Sequence, residues 1–184
     1  LLLLSAGSML LLFNGARENV SGQDYARIYS ATFAGSTFGG ATMLPDQTGT
    51  AVHYIFTDAL VDAGGDIHLL YAIDDSGTEF RCHRTYDGSW QAEQQVENAF
   101  PGEDPVSCSN LLLFGTTLAF VHETDPGSGE ELHYVYGTVG ATPTWNVVNL
   151  GAAPDLLGNQ TGITGKAFAL AAEALKIYLL ECRN

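Results

Sequence analysis

The chain has 184 residues, enough for a sizeable core, and 46% of them are hydrophobic, which excludes a disordered polypeptide. A net charge of −14, from 21 acidic and only 7 basic residues, excludes a phosphate-binding surface for nucleic acid and docking on anionic membranes. The acidity reads as solubility rather than as a carboxylate cluster for divalent cations. Three scattered cysteines, Cys82, Cys108 and Cys182, form neither a disulfide framework nor a zinc motif; one Cys82–Cys108 bridge is conceivable outside the cell, and buried free thiols are the preferred reading.

The first predicted element is a hairpin at 1–15, LLLLSAGSMLLLFNG. Its leucine run lacks a basic flank, is interrupted by Ser5, Gly7 and Ser8, and is too short to span a bilayer, so it reads as paired strands rather than as a leader or membrane anchor. The chain starts without Met, which suits a processed chain or a piece of a longer one. Similar hairpins follow at 59–75 (ALVDAGGDIHLLYAIDD), 111–125 (LLLFGTTLAFVHETD) and 167–184 (AFALAAEALKIYLLECRN). The last also has helix-forming composition, but its likeness to the others favours strands.

After each of the first three hairpins comes a turn rich in Asp, Gly, Asn or Ser, then a strand of alternating character: Tyr25–Tyr29, Phe80–Arg84 and Leu132–Tyr136. A second turn ends in an aromatic, Phe38, Trp90 or Trp145, and a weaker strand closes the unit, as at 90–96 and 145–150. The period is fifty-odd residues. Continuous apolar strands suit positions buried on both faces, and alternating strands suit positions with one face in water. A four-stranded meander at this period is the signature of a propeller blade. The sequence therefore predicts an all-β fold, a single β-propeller segment over 1–184 of about three and a half four-stranded antiparallel blades. Its units fall at about 1–50, 51–104 and 105–158, with a partial unit at 159–184. A β-sandwich is the alternative, although it gives no reason for the period. Closing the ring requires a second copy or the remainder of a larger propeller, because open inner edges aggregate. The turn aromatics are expected to pack against neighbouring blades.

The unit IHLLYAIDDSGTEFRCHRTYDGSWQAEQQV, with its turn Thr85-Tyr86-Asp87-Gly88-Ser89-Trp90, resembles blades of sialidase-like and fucose-binding-lectin-like propellers. The turn at Thr142 lacks the Asp, and Phe38 stands in place of Trp. The resemblance implies the fold and, more distantly, carbohydrate recognition. A sialidase-like site needs a cluster of arginines; the five available are Arg17, Arg27, Arg81, Arg84 and Arg183, and Arg27 and Arg84, at similar places in successive units, are expected on outer blade surfaces. A glycosidase would need two inner carboxylates, for which Asp62, Asp66, Glu123, Glu173 and Glu181 are available, with Asp62 and Asp66 first of all turn residues.

Lectin-type recognition asks for an aromatic platform and a few charged groups. Each unit offers them: Tyr25, Arg27, Tyr29 and Phe38; Tyr71, Glu79, Arg84 and Trp90; Glu131, Tyr134, Tyr136 and Trp145. The histidines, His53, His68, His83, His122 and His133, show no metal-ligand spacing, and His68 and His122 read as structural. The triplets starting at Asn19 and Asn159 matter as glycosylation acceptors only in a secreted eukaryotic protein. The reading is a carbohydrate-recognition module, extracellular or surface-associated, without metal, cofactor or catalytic residues, whose partner is a glycan or another protein, with no nucleic acid and no membrane insertion. The alternatives are a structural or protein-binding propeller in a larger assembly, viral ones included, and a fragment of a sialidase-like or other glycoside hydrolase.

Overall fold

The computed structural model describes residues 2–5, 8–20, 23–34, 36–47, 52–75, 78–97, 107–108, 110–124, 131–140, 142–152, 168–173 and 176–181. All regular structure among them is β, arranged in antiparallel sheets. No helix among them is long and apolar enough to cross a membrane. The chain forms two compact units, Leu1–Val96 and Glu97–Asn184.

The first unit begins with β1 (Leu2–Ser5), β2 (Ser8–Val20) and β3 (Gln23–Ala34), continued by the short β4 (Thr37–Phe38) and β5 (Thr42–Met43), both of which pair with β3. Its second sheet is a simple meander of β6 (Val52–Val61), β7 (Ile67–Asp75), β8 (Thr78–Tyr86) and β9 (Gln94–Glu97), whose last residue, Glu97, opens the second unit. The β6–β7 turn is built by Asp62, whose carboxylate accepts the amides of Gly64 (2.8 Å) and Asp66 (2.9 Å), with Gly65 at φ 92°, a conformation that suits a residue without Cβ. Asp62 is thus a turn residue, as its place beside two glycines suggests. Strand β7 is buried from Ile67 through Ile73, on both faces, as its continuous apolar run predicts.

The two sheets share a core of Leu10, Leu12, Ile28, Leu44, Tyr54, Ile67, Leu69, Tyr71, Ile73 and Cys82. Polar side chains stitch the sheets together at their margin. The Asn14 amide donates to Tyr54 O (2.7 Å) and accepts the Phe56 N–H (3.0 Å), behaving as a short piece of strand. Gln47 does the same for Ile28, accepting its N–H and donating to its carbonyl, both at 2.7 Å. These bonds satisfy backbone groups that the ladders leave open.

The second unit contains β10 (Ser107–Cys108), β11 (Leu112–Phe114), β12 (Thr117–Thr124), β13 (Glu131–Thr138) and β14 (Trp145–Ala152). Both β10 and β11 pair with β12, and the meander continues through β13 to β14. A last hairpin joins β15 (Phe168–Glu173) to β16 (Lys176–Glu181), so the segment with helix-forming composition is strand. The two faces of β13 differ. Leu132 packs with Ala119 and Val121, with Tyr134 and Tyr136 against them. Residues 131, 133, 135 and 137 point the other way, as the period of two requires.

One expectation is corrected. Strand β8 does not turn a polar face to water: Arg81, His83, Arg84 and Thr85 are all buried, because each finds partners inside the protein. The turn aromatics each meet a ring of their own sheet, Phe38 against Phe33 (4.9 Å between centroids), Trp90 against Tyr86 (5.1 Å) and Trp145 edge-on to Phe120 (6.0 Å), and Trp90 also packs against the core that the two sheets of the first unit share. In each case the turn folds the ring straight back onto a strand of its own sheet.

Candidate functional site

Three polar constellations stand out among the described residues of the sheets. The first centres on Arg84. Alternation along β8 places Cys82 and Arg84 on the face shared with Leu69 and Tyr71 of β7, their cross-strand neighbours. The Arg84 Nε–H donates to the Tyr71 hydroxyl (3.1 Å), which donates to Glu93 Oε2 (2.5 Å). The terminal guanidinium nitrogens are held more loosely, at 3.4 Å from Asp46, 3.5 Å from the Gln91 carbonyl and 3.8 Å from Glu93. Asp46 is 78% exposed and Glu93 33%, whereas Arg84 is 2% exposed. Burial alone would depress the Arg84 pKa, but the Tyr71 hydroxyl, Glu93 and Asp46 outweigh it and raise it. Burial and the Glu93 charge push both the Tyr71 phenol and the Cys82 thiol well above their ordinary values. Cys82 is a free, buried thiol and makes no bridge.

The second constellation lies on the opposite face of the same sheet. His68 Nδ1 is 3.1 Å from His83 Nε2, and His68 Nε2 is 3.5 Å from Asp62 Oδ2. The rings stack at 5.3 Å. Both imidazoles are fully buried. Burial pushes His83 down to about 3, helped by its neighbour His68, and burial likewise lowers His68 against the pull of Asp62. Burial works to raise Asp62, but bonds from the Asp66 amide, His68 and the Gly64 amide bring it below the usual carboxylate range.

The third is in the second unit. His122 and His133 stand directly opposite each other in the β12–β13 ladder, on the face with Phe120 and Val135. Their rings are 5.5 Å apart and nearly perpendicular, at 88°. Glu97, the unit's first residue, places Oε1 at 2.5 Å from His133 Nδ1 and Oε2 against His122 Nε2. All three side chains are buried, and one ligand atom from each lies within 4.8 Å of the others. His133 Nε2 faces Glu131 Oε2 at 3.5 Å, and that carboxylate accepts a 2.6 Å bond from Asn149 Nδ2.

The residues singled out from the sequence are placed as follows. Tyr71 and Arg84 come together, with Glu93 and Asp46, which the sequence did not mark. Trp90 is committed to Tyr86. Arg27 is buried rather than displayed on an outer surface, a second correction shared with Arg84: its guanidinium donates to Val52 O (2.5 Å) and Ala26 O (3.1 Å) and lies over the rings of Tyr54 (5.4 Å) and Tyr25 (5.8 Å). Tyr29 stacks on Phe13. Tyr134 and Tyr136 stack on each other at 5.4 Å on the core face of β13, opposite the histidines, and Glu131 belongs to the histidine group. Trp145 packs on Phe120. The side chains of Glu79, Glu123, Glu173, Glu181 and Arg17, together with Cys182, Arg183 and the triplet at Asn159, lie outside the described residues. Glu97 escaped the sequence reading because it lies 36 residues from His133; the usable signal was that His122 and His133 both occupy inward positions of adjoining strands.

A scan against protein-family models found no match, and searches of curated proteins and of solved structures found none either.

Proposed function

We propose that the antiparallel sheets are blades of a β-propeller and that the chain is a non-catalytic, lectin-like module binding carbohydrate at a cell surface or outside the cell. The fifty-odd-residue repeat and the meander within the described sheets support the propeller reading. The observation that carries the binding function is the Arg84 group. Its outer guanidinium nitrogens sit 3.4–3.8 Å from their partners, longer than the 2.7–2.9 Å or so typical of a charge-assisted bond, beside two partly exposed carboxylates. A sugar hydroxyl both donates and accepts, so a diol would bridge this fork and these carboxylates once the exposed Asp46 carboxylate swings aside and opens the guanidinium. Tyr71 keeps the guanidinium fixed while the outer contacts rearrange.

The test is a glycan array on the full chain followed by titration of any hit. The expected result is one sugar class whose affinity falls at least about tenfold in Arg84→Lys and in Glu93→Gln. Circular dichroism separates loss of binding from loss of fold. Absence of any hit, or affinity unchanged in both folded variants, overturns the reading. A protein-binding scaffold is the second reading, favoured by Val147, Val148 and Leu150, exposed on β14. It predicts self-association or partner capture that Val148→Lys abolishes.

A further inference from the structure

We propose that Glu97, His122 and His133 form a binding site for a single divalent transition-metal ion, zinc foremost, that clips the start of the second unit to its central hairpin. The donor set is two imidazoles and one carboxylate, which suits zinc and its first-row neighbours and not calcium or magnesium, which prefer all-oxygen shells.

Three features of the geometry carry this. First, the donors converge. Their ligand atoms lie within 4.8 Å of one another, and a zinc ion with bonds of about 2.0–2.2 Å holds its ligands roughly 3–4 Å apart, so small side-chain rotations complete the set. The near-perpendicular rings of His122 and His133 aim their lone pairs from different directions, as a tetrahedral ion requires, where stacked rings would not.

Second, the backbone places the donors firmly. The two histidines are a directly opposed cross-strand pair on an inward face, and all three side chains are buried. Burying a carboxylate is costly without compensating charge, and a dication between it and the imidazoles supplies that charge.

Third, the outer shell is present. With His133 Nδ1 turned to the ion, its Nε2–H faces Glu131 Oε2, and Asn149 holds that carboxylate in turn. Metal-bound histidines characteristically donate their second ring nitrogen to such a carboxylate, which sets the tautomer and strengthens the ligand. The buried histidine pair of the first unit lacks this pattern: its nitrogens form a chain from Asp62 to His68 to His83 and share no common point.

Such an ion ties Glu97 to His122, 25 positions further along the chain, so binding and folding of the second unit are coupled. Three protein ligands leave a fourth position for water or another donor.

The test uses the full chain, freed of metal by a chelator and then titrated with Zn2+ and, separately, Co2+. The expected result is one zinc per chain by elemental analysis, a raised unfolding temperature, and a Co2+ visible spectrum typical of a four-coordinate N/O site. His133→Ala is expected to abolish uptake. Glu131→Gln, which keeps every ligand, is expected to weaken Zn2+ binding by about 10–100-fold. His68→Asn is expected to change nothing in metal uptake. If His133→Ala fails to fold, Glu131→Gln decides. A folded wild-type chain that takes up no zinc, or one whose uptake is the same in Glu131→Gln, overturns the proposal.

Discussion

Each unit buries two histidines beside one carboxylate, and the two arrangements solve the same problem in opposite ways. His83 and His133 both lie on the third strand of their meanders. Opposite His133 stands another histidine, His122, whereas opposite His83 stands Leu70, so its partner is His68, displaced diagonally by two residues. The diagonal pair stacks in a line that ends on Asp62, a turn residue near the protein surface. The opposed pair meets at right angles with the carboxylate of Glu97 between the rings. A two-residue offset across a ladder thus separates a hydrogen-bonded chain from a converging donor set. A polar group buried in a sheet is shaped less by its own identity than by what the register sets against it.

The chain has two tryptophans, Trp90 in the first unit and Trp145 in the second, so single-Trp variants follow each unit separately. The sharpest contrast is in the carboxylates. Glu97→Ala strips two buried imidazoles of their shared partner and is expected to destabilise the second unit by about 3–5 kcal/mol. Asp62→Ala removes turn bonds near the surface and is expected to cost the first unit only about 1 kcal/mol. Equal costs in urea unfolding would break the comparison.

Acid should act on the His68–His83 chain. The folded-state pKa of His83 is pushed down to about 3, below its ordinary value of 6.5, so between these values the unfolded chain binds more protons. The stability this histidine lends is therefore full above about pH 6.5 and drains away as pH falls towards 3, by up to ~1.4 kcal/mol per pH unit. His68, also lowered, adds in the same direction. Unfolding of the first unit measured from pH 7 to pH 5 should show this slope, and His83→Leu should flatten it. A slope unchanged in that variant would mean that other groups govern acid sensitivity.

Smaller effects than that of Glu97→Ala are expected at a device common to both units, a glycine lying under an aromatic ring. A Cβ at Gly15 would meet the Tyr29 ring at 2.2 Å, and one at Gly137 would meet Thr144 O and the Trp145 ring at 3.0 Å. Gly15→Ala is expected to cost about 2 kcal/mol and Gly137→Ala about 1 kcal/mol, measured by thermal unfolding of each unit. The order tests whether the ring of Tyr29, stacked on Phe13, gives way less easily than its counterpart.

Much of the β architecture is legible without coordinates. The apolar run of β7 announces a strand buried on both faces, Asp62-Ala63-Gly64-Gly65-Asp66 announces its turn, and the likeness of 167–184 to earlier hairpins decides strand over helix there. All of these are local signals, carried by side-chain period and turn chemistry. Arg84 and Arg27 show the limit. A charged residue in an alternating strand reads as solvent-facing, and both are buried because a phenol 13 positions away and a carbonyl 25 positions away come to meet them. The candidate sugar-binding group is legible only in part for the same reason: Tyr71 and Arg84 stand out as residue types, while Asp46 and Glu93 acquire meaning through their distance from the guanidinium.

Composition and periodicity thus suffice for the all-β class, the repeated hairpins and the chemical kinds of residue available to each unit, because strands and turns are written at the scale of a few neighbouring residues. Strand register, and with it the opposition of His122 to His133 and the arrival of Glu97 between them, depended on folding. Contacts across 36 positions of chain are chosen by which face of which strand is buried against what, and no local pattern encodes that choice.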